Sequence, residues 1–359
     1  MEDQYPSILS DEERAARRAQ RAEARKEKLR VRRRRRLKQL APALVLGSVL
    51  IFLLSAWAVQ RSSAQEPEEK ETPVPAAEPA IAPEEPQVDL PYSVAATADT
   101  IQLGDTVNSS YAVLIDLQSG SILAEKAADT IINPASMTKL LTLLVAAEHV
   151  TNLDDTFTMT IDITDYCYVN DCSVVGLLVG ETVTVRELLY GTILPSGADA
   201  SLALATYVAG SHEAFVELMN EKAAELGLSD GARFTNCVGL YDEAHACTVT
   251  DMALILKAAM DNELCREILD ARTYETAPTA EHPDGQILSN WFLRRIEDKD
   301  TGDIDVVGAK TGYVVQSGSC AASCGETPDG RRFLCVTGDA SSSWQAIYDH
   351  AALYKTYCS

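Results

Sequence analysis

Apolar positions along the 359-residue chain change regime three times. Leu40 to Val59 is an uncharged run of about twenty residues, the length at which a helix crosses a bilayer. From Gln65 to Pro91 the pattern dissolves into Pro, Glu and Ala, with prolines at 67, 73, 75, 79, 83, 86 and 91. Such a stretch lacks the apolar residues for a core, and its prolines and like charges keep it extended. Past about residue 100 the pattern returns with alternating and helical periods.

Tyr111 to Leu117 and Ser121 to Glu125, joined by Gln118-Ser119-Gly120, read as a β-hairpin. Pro134 opens a helix whose run Leu140 to Ala147 is apolar on nearly every face, as in a helix buried at a domain centre. This reading puts Ser136 at a helix N-terminus. Helical patterns recur in Val185 to Thr192, Ala198 to Ala209, His212 to Leu226 and Thr250 to Asp261. Val306 to Tyr313, Ser319 to Cys324 and Arg332 to Thr337 read as strands, the last two joined by a turn at Thr327-Pro328-Asp329-Gly330, and Ser343 to Tyr357 as a closing helix. The order predicts an α/β fold of the α+β kind: an antiparallel sheet flanked by helices, plus a helical lobe, preceded by one transmembrane helix.

Charge divides the chain at the apolar run. Residues 1–61 hold fifteen Lys and Arg against seven Asp and Glu, while the other 298 hold sixteen against forty-six, a split hidden in the net charge of -22. An acidic folded part excludes nucleic acid as the partner, because phosphate contacts need clustered cations. The basic cluster, with five consecutive arginines from Arg32 to Arg36, abuts the apolar run and predicts a cytoplasmic N-terminus with everything after Arg61 outside. The expected localisation is the cell membrane, single-pass. Cleavage and secretion is the alternative, because Ala56-Trp57-Ala58 has signal-peptidase spacing.

All nine cysteines lie beyond the apolar run, in the part expected to face an oxidising space. Cys167 with Cys172, and Cys237 with Cys247, bracket short loops and are the first candidates for disulfide pairs; the odd total leaves at least one free thiol. No C-x-x-C pair occurs and the five histidines lack ligand spacing, so no metal or other cofactor is expected.

The chemistry sits in three strings. Ser136-Met137-Thr138-Lys139 is the only place where a lysine follows a serine by three residues, and one helical turn brings such a pair to the same face. A serine hydroxyl needs an adjacent base to act as a nucleophile, and a buried lysine beside a second cation gives up its proton readily. Lys139 is the candidate base and Lys310 the second cation. Ser196-Gly197-Ala198 lies in a helical region, and Lys310-Thr311-Gly312 begins the only Lys-Thr-Gly of the chain.

These strings, with Asn133-Pro134-Ala135, Phe234-Thr235-Asn236, Gly239-Leu240, His245 and Thr250-Asp251-Met252-Ala253, resemble the serine-type D-alanyl-D-alanine carboxypeptidases, low-molecular-mass penicillin-binding proteins of the β-lactamase-like superfamily, over about residues 105 to 356. The resemblance implies that Ser136 is the nucleophile, Lys139 the general base and Ser196 a proton relay. It implies that Lys310, Thr311, Gly312 and Tyr313 bind substrate, with the Ser136 and Tyr313 N–H groups as an oxyanion hole. The implied activity is removal of the terminal D-alanine from peptidoglycan stem peptides ending in D-Ala-D-Ala through an acyl-enzyme, with β-lactams as covalent inhibitors. Ala198 departs from the family's Ser-x-Asn, whose asparagine helps to place the substrate amide and the lysine.

The domain division is then 1–39 basic cytoplasmic tail, 40–59 transmembrane helix, 60–95 extracytoplasmic linker and 96–359 catalytic domain. Two alternatives stand beside it. A wall-binding or β-lactam-sensing module would be slow because of Ala198. A β-lactamase would need a deacylating Glu-x-x-x-Asn, and no glutamate between Ser196 and Lys310 has an asparagine four places on.

Overall fold

Alternating side chains sort to the two faces of one six-stranded sheet. The computed structural model describes residues 94–358; the expected tail, the apolar run and nearly all of the linker lie outside the described residues. Among the described residues no helix is long and apolar enough to cross a membrane. The strands are β1 (Ala95–Gln102), β2 (Tyr111–Asp116), β3 (Ser121–Lys126), β8 (Asp305–Val314), β9 (Gly318–Glu326) and β10 (Arg332–Ala340), in the order β1-β3-β2-β10-β9-β8. Two-stranded ribbons, β4 (Thr156–Thr158) with β5 (Thr182–Thr184) and β6 (Thr273–Glu275) with β7 (Ile287–Ser289), stand apart from it.

The sheet is antiparallel as expected except at one edge, where β1 runs parallel to β3. Strand β1 has no apolar alternation and is almost wholly exposed, so the periodicity that revealed the other strands was missing from it.

Period two assigns the cores. Val113 and Ile115 of β2 and Leu334 and Val336 of β10 face the helical lobe, while Ala112, Leu114, Phe333 and Cys335 face the opposite side. There the C-terminal helix Ser343–Tyr357 covers the sheet with Ile347, Leu353 and Tyr354. The helical lobe is built around α1 (Lys139–His149), whose first eight residues are all buried. It packs on the helices Val185–Ile193, Ala198–Ala209 and Val249–Asp261. Each leucine buried this way contributes about 1.5–3 kcal/mol. A capping box at Thr248 and Asp251 starts Val249–Asp261 where sheet and lobe meet.

The helix at Pro134 differs from expectation. Residues Ala135–Thr138 form a 3-10 turn, and the α-helix begins only at Lys139. The cause is local: Ala135 takes a left-handed φ of 48°, and the Thr138 hydroxyl donates to its carbonyl at 2.7 Å, so regular α-geometry starts beyond them.

Candidate active site

The tight turn carries Ser136 half-buried at the start of α1, and one turn later Lys139 is fully enclosed. Lys139 Nζ donates to Ser136 Oγ at 3.1 Å and to the Val238 carbonyl at 2.7 Å. Burial lowers the Lys139 pKa from 10.5 to about 8, so a neutral amine within hydrogen-bond reach of the serine is accessible near neutral pH.

Three more layers hold the turn. A Cβ at Gly239 (φ 77°) would stand 2.0 Å from the Ala135 oxygen and 2.8 Å from Ser136 N, so only a glycine fits against it. Gly312 approaches from the other side, where a Cβ would meet Ser136 N and the Pro134 oxygen at 3.0 Å. Below lies His245, buried. Its Nδ1 accepts from the Thr235 N–H at 3.0 Å, which leaves Nε2 as the protonated nitrogen donating to Thr138 Oγ1 at 2.8 Å. Burial drives the His245 pKa down to about 4, so the ring is neutral.

The Val238 carbonyl is itself placed by Asn236, whose side-chain oxygen accepts from the N–H groups of Val238, Gly239 and Leu240 at 3.2, 2.7 and 3.0 Å. The string Phe234-Thr235-Asn236 was legible in the sequence. The acceptor it presents is a backbone oxygen, to which no residue type points.

The second and third motifs meet at Lys310. Its ammonium, fully buried, donates to Ser196 Oγ at 2.8 Å and to the Thr311 carbonyl at 2.7 Å. Burial and then the repulsion of Lys139 push its pKa well below the ordinary range. Burial is thus the first cause of the lowering at both lysines, and the repulsion between them that the sequence led one to expect disfavours both carrying a charge at once. Ser196 holds a left-handed φ of 63°, a strained geometry that aims its hydroxyl at this ammonium. Thr311 lies half-buried on β8, and Tyr313, 65% exposed, pairs with Ser319 on β9. Of the seven residues singled out from the sequence, Lys139 bonds Ser136, Lys310 bonds Ser196, and the strand carrying Lys310, Thr311, Gly312 and Tyr313 passes Ser136 at Gly312. Beside them an open cleft of about 310 Å³ is lined by Tyr111, Asn133, Tyr241, Asp242 and Ser317.

Ala198 is buried at the first turn of Ala198–Ala209, its N–H bonded to the Ser173 carbonyl at 2.8 Å. Neighbouring Asp199 is held by the preceding loop, its carboxylate accepting from the N–H groups of Val175, Gly176 and Leu177, and its charge still reaches Lys139. The expected disulfides are not formed, and all nine cysteines are free thiols. Cys237 turns toward the Ser201 carbonyl, whereas Cys247 sits in an isolated bridge to Ile132 and neighbours Asp251 and Cys320, so that pair diverges.

The model of the Peptidase S11 family, D-alanyl-D-alanine carboxypeptidase, matches residues 95–341, nearly all of the described chain. The chain belongs to that family. D-alanyl-D-alanine carboxypeptidase DacF of Bacillus subtilis (strain 168) is 31% identical over 230 residues, which span 63% of this chain and 56% of that protein. The chain thus covers little more than half the length of this relative. A D-alanyl-D-alanine carboxypeptidase of Streptomyces sp. (strain K15) is 33% identical over 214 residues, 56% of this chain and 71% of that protein. The crystal structure of the Streptomyces K15 DD-transpeptidase superposes with a TM-score of 0.62 at 28% identity, covering 69% of this chain and 95% of that one. A D-alanyl-D-alanine carboxypeptidase from Mycobacterium tuberculosis H37Rv gives 0.61 at 26%, covering 72% and 93%. The sheet-and-helix architecture is that of the DD-transpeptidase fold.

Proposed function

We propose that this chain is a serine D-Ala-D-Ala carboxypeptidase that trims the terminal D-alanine of peptidoglycan stem peptides and is acylated by penicillin. The observation that carries the reading is the 3.1 Å hydrogen bond between Lys139 and Ser136 with the lysine fully enclosed. Lys139 takes the hydroxyl proton as Ser136 Oγ attacks the carbonyl carbon of the penultimate D-alanine. The N–H groups of Ser136 and Tyr313 receive the developing oxyanion. Lys310, Thr311 and Gly312 hold the terminal carboxylate, and Ser196, bonded to Lys310, passes a proton to the leaving amine. Water then cleaves the ester and restores Ser136.

Membrane attachment through residues 40–59, with the N-terminus cytoplasmic and the enzyme outside, is part of the proposal and is supported by the arginine cluster before Leu40. Protease added to intact spheroplasts digests residues beyond Arg61 and spares the tail on this reading; digestion of the tail alone overturns it.

Ala198 favours one second reading, a module that binds the wall or β-lactams and turns over slowly. Mass spectrometry of the protein after penicillin, and after a D-Ala-D-Ala peptide, separates the two. Adduct on Ser136 with release of D-alanine supports the enzyme, adduct without release supports the module, and adduct formation in Ser136→Ala removes Ser136 as nucleophile.

A further inference from the structure

The open cleft beside the candidate site lies where β8 ends. That strand stops at Val314, and Ser317 follows in the turn to β9, its N–H donating to the Val314 carbonyl at 3.2 Å. Asn133 and His245 line the cleft together with Ser317. The Asn133 side-chain oxygen accepts from the Ala135 N–H at 3.1 Å and His245 bonds Thr138, so the cleft backs onto the turn that carries Ser136.

Three carboxylates also line it, Asp242 and Glu243 from the loop after Leu240 and Asp339 from the end of β10, and none of the described residues lining it is a lysine or arginine. Two of them are tethered: Asp242 accepts from the Ala244 N–H at 2.9 Å, and Asp339 from the Ser110 hydroxyl at 2.8 Å. Acidic residues outnumber basic ones throughout the folded part, so carboxylates alone mark no site. Ser317 marks this one. It is 6% exposed, and its hydroxyl is one of two buried side-chain polar atoms among the described residues that have no hydrogen-bond partner. A buried hydroxyl left unpaired is costly, and one that lines a cleft gains its partner when a donor enters.

We propose that this cleft receives the side chain of the stem-peptide residue that precedes D-Ala-D-Ala, and that it selects a side chain ending in a primary ammonium. The inference rests on the carboxypeptidase reading, in which the terminal carboxylate lies at Lys310 and Thr311 and the scissile carbonyl at the Tyr313 N–H. A peptide so placed runs antiparallel to β8. At about 3.4 Å per residue, the residue before the two alanines then stands level with Val315 to Ser317. Its methylenes lie against Tyr111 and Tyr241, and its ammonium donates to Ser317 Oγ within the field of the three carboxylates. A volume of about 310 Å³ is at the small end for a ligand cleft and suits one side chain.

The test uses the full-length protein and Nα-acetyl-L-Lys-D-Ala-D-Ala with its ε-amine either free or acetylated. D-alanine release gives kcat/KM for each peptide, and every variant is judged by its own ratio of the two, so a general loss of activity cancels. The wild-type protein is expected to favour the free amine by about five- to tenfold, chiefly through KM, with the ratio shrinking as NaCl is raised from about 50 to 500 mM. Glu243→Gln with Asp339→Asn should bring the ratio close to one. Ser317→Ala should lower it while keeping or raising the melting temperature, since a hydroxyl unpaired in the free protein gives the fold nothing. A wild-type ratio of one or below, with D-alanine released from both peptides, overturns the proposal and leaves the carboxypeptidase reading standing; a ratio that none of these variants moves overturns it too. Calorimetric binding of both peptides to Ser136→Ala decides the case without turnover. If the wild-type protein releases no D-alanine but the variant binds the free amine more tightly, the cleft stands and the carboxypeptidase reading falls; equal binding removes both.

Discussion

The carbonyl oxygen of Val238 stands 2.7 Å from Lys139 Nζ, closer than the Ser136 hydroxyl at 3.1 Å. A carbonyl accepts from either protonation state of the lysine, so it fixes the nitrogen beside the serine before and after proton transfer. The ordering of the Lys139 amine is thus supplied by the main chain of the Asn236–Leu240 loop.

Acylation is expected to rise with pH through about 8 and level off above it, because burial has lowered the Lys139 pKa to that value from 10.5 and the neutral amine is the active form. Between these two values the unfolded chain binds the extra proton, so Lys139 makes stability rise with pH there and penalises it below. Penicillin acylation rates from pH 6 to 9.5 check the profile; a rate independent of pH would remove Lys139 as the base.

Gly239→Ala should be among the most damaging single-methyl changes in the chain. The new carbon meets the Ala135 oxygen at 2.0 Å and sits on a backbone at φ 77°. Left-handed strain alone costs about 1–3 kcal/mol, and relief of the clash moves Ser136. The expected result is a lower melting temperature together with at least tenfold slower acylation, measured on the fraction that remains folded; a wild-type acylation rate would show that the turn yields without disturbing the serine.

Ser196→Ala removes the hydroxyl that Lys310 donates to and leaves a buried ammonium one acceptor short. Loss of a hydrogen bond to a charged group amounts to about 1.5–3 kcal/mol, or roughly ten- to a hundredfold in the acylation rate if it is expressed in the transition state. Ser196→Gly should match it in activity but be more stable than Ser196→Ala, since glycine adopts φ 63° without strain. Equal stability of the two would mean that the backbone relaxes at this position.

Acid should destabilise the fold through its neutral histidines. His245 is lowered to about 4 and His350 to about 3, both chiefly by burial, while the unfolded chain protonates near 6.5. Stability is then full above pH 6.5 and is lost as pH falls toward these values, by about 3 kcal/mol for His245 alone. Urea midpoints at pH 7 and pH 4.5 check this, and His350→Phe, if it folds, should flatten the dependence.

Legibility in the sequence followed physical cause. The hairpin at Tyr111, the strands around Lys310 and the helix Ala198–Ala209 bury one face or more, and burial imposes a period that a reader can count. Strand β1 buries almost nothing, and the short helix Glu263–Asp270 follows its predecessor after only Asn262, so both escaped detection. At the candidate site, the serine and lysine side chains were visible because their types are scarce at such spacing. The Val238 carbonyl and the left-handed turn at Ala135 are properties of the backbone and left no residue type to read. The cysteine loops misled for a related reason: Cys237 and Cys247 are near in sequence, but the chain between them sends their sulfurs to different neighbours.

Up to its last residue, Glu326, strand β9 carries no side chain larger than cysteine. It is a thin partition, with the C-terminal helix on one side and the helical lobe on the other. Its Ala322 and Ala321 pair with Lys310 and Thr311, and a Cβ at Gly325 would already strike Ile304 at 2.4 Å and Tyr354 at 2.9 Å. Bulk added on the far side has nowhere to go but through that wall. The C-terminal helix therefore helps to set the depth at which the strand carrying Lys310 and Thr311 lies.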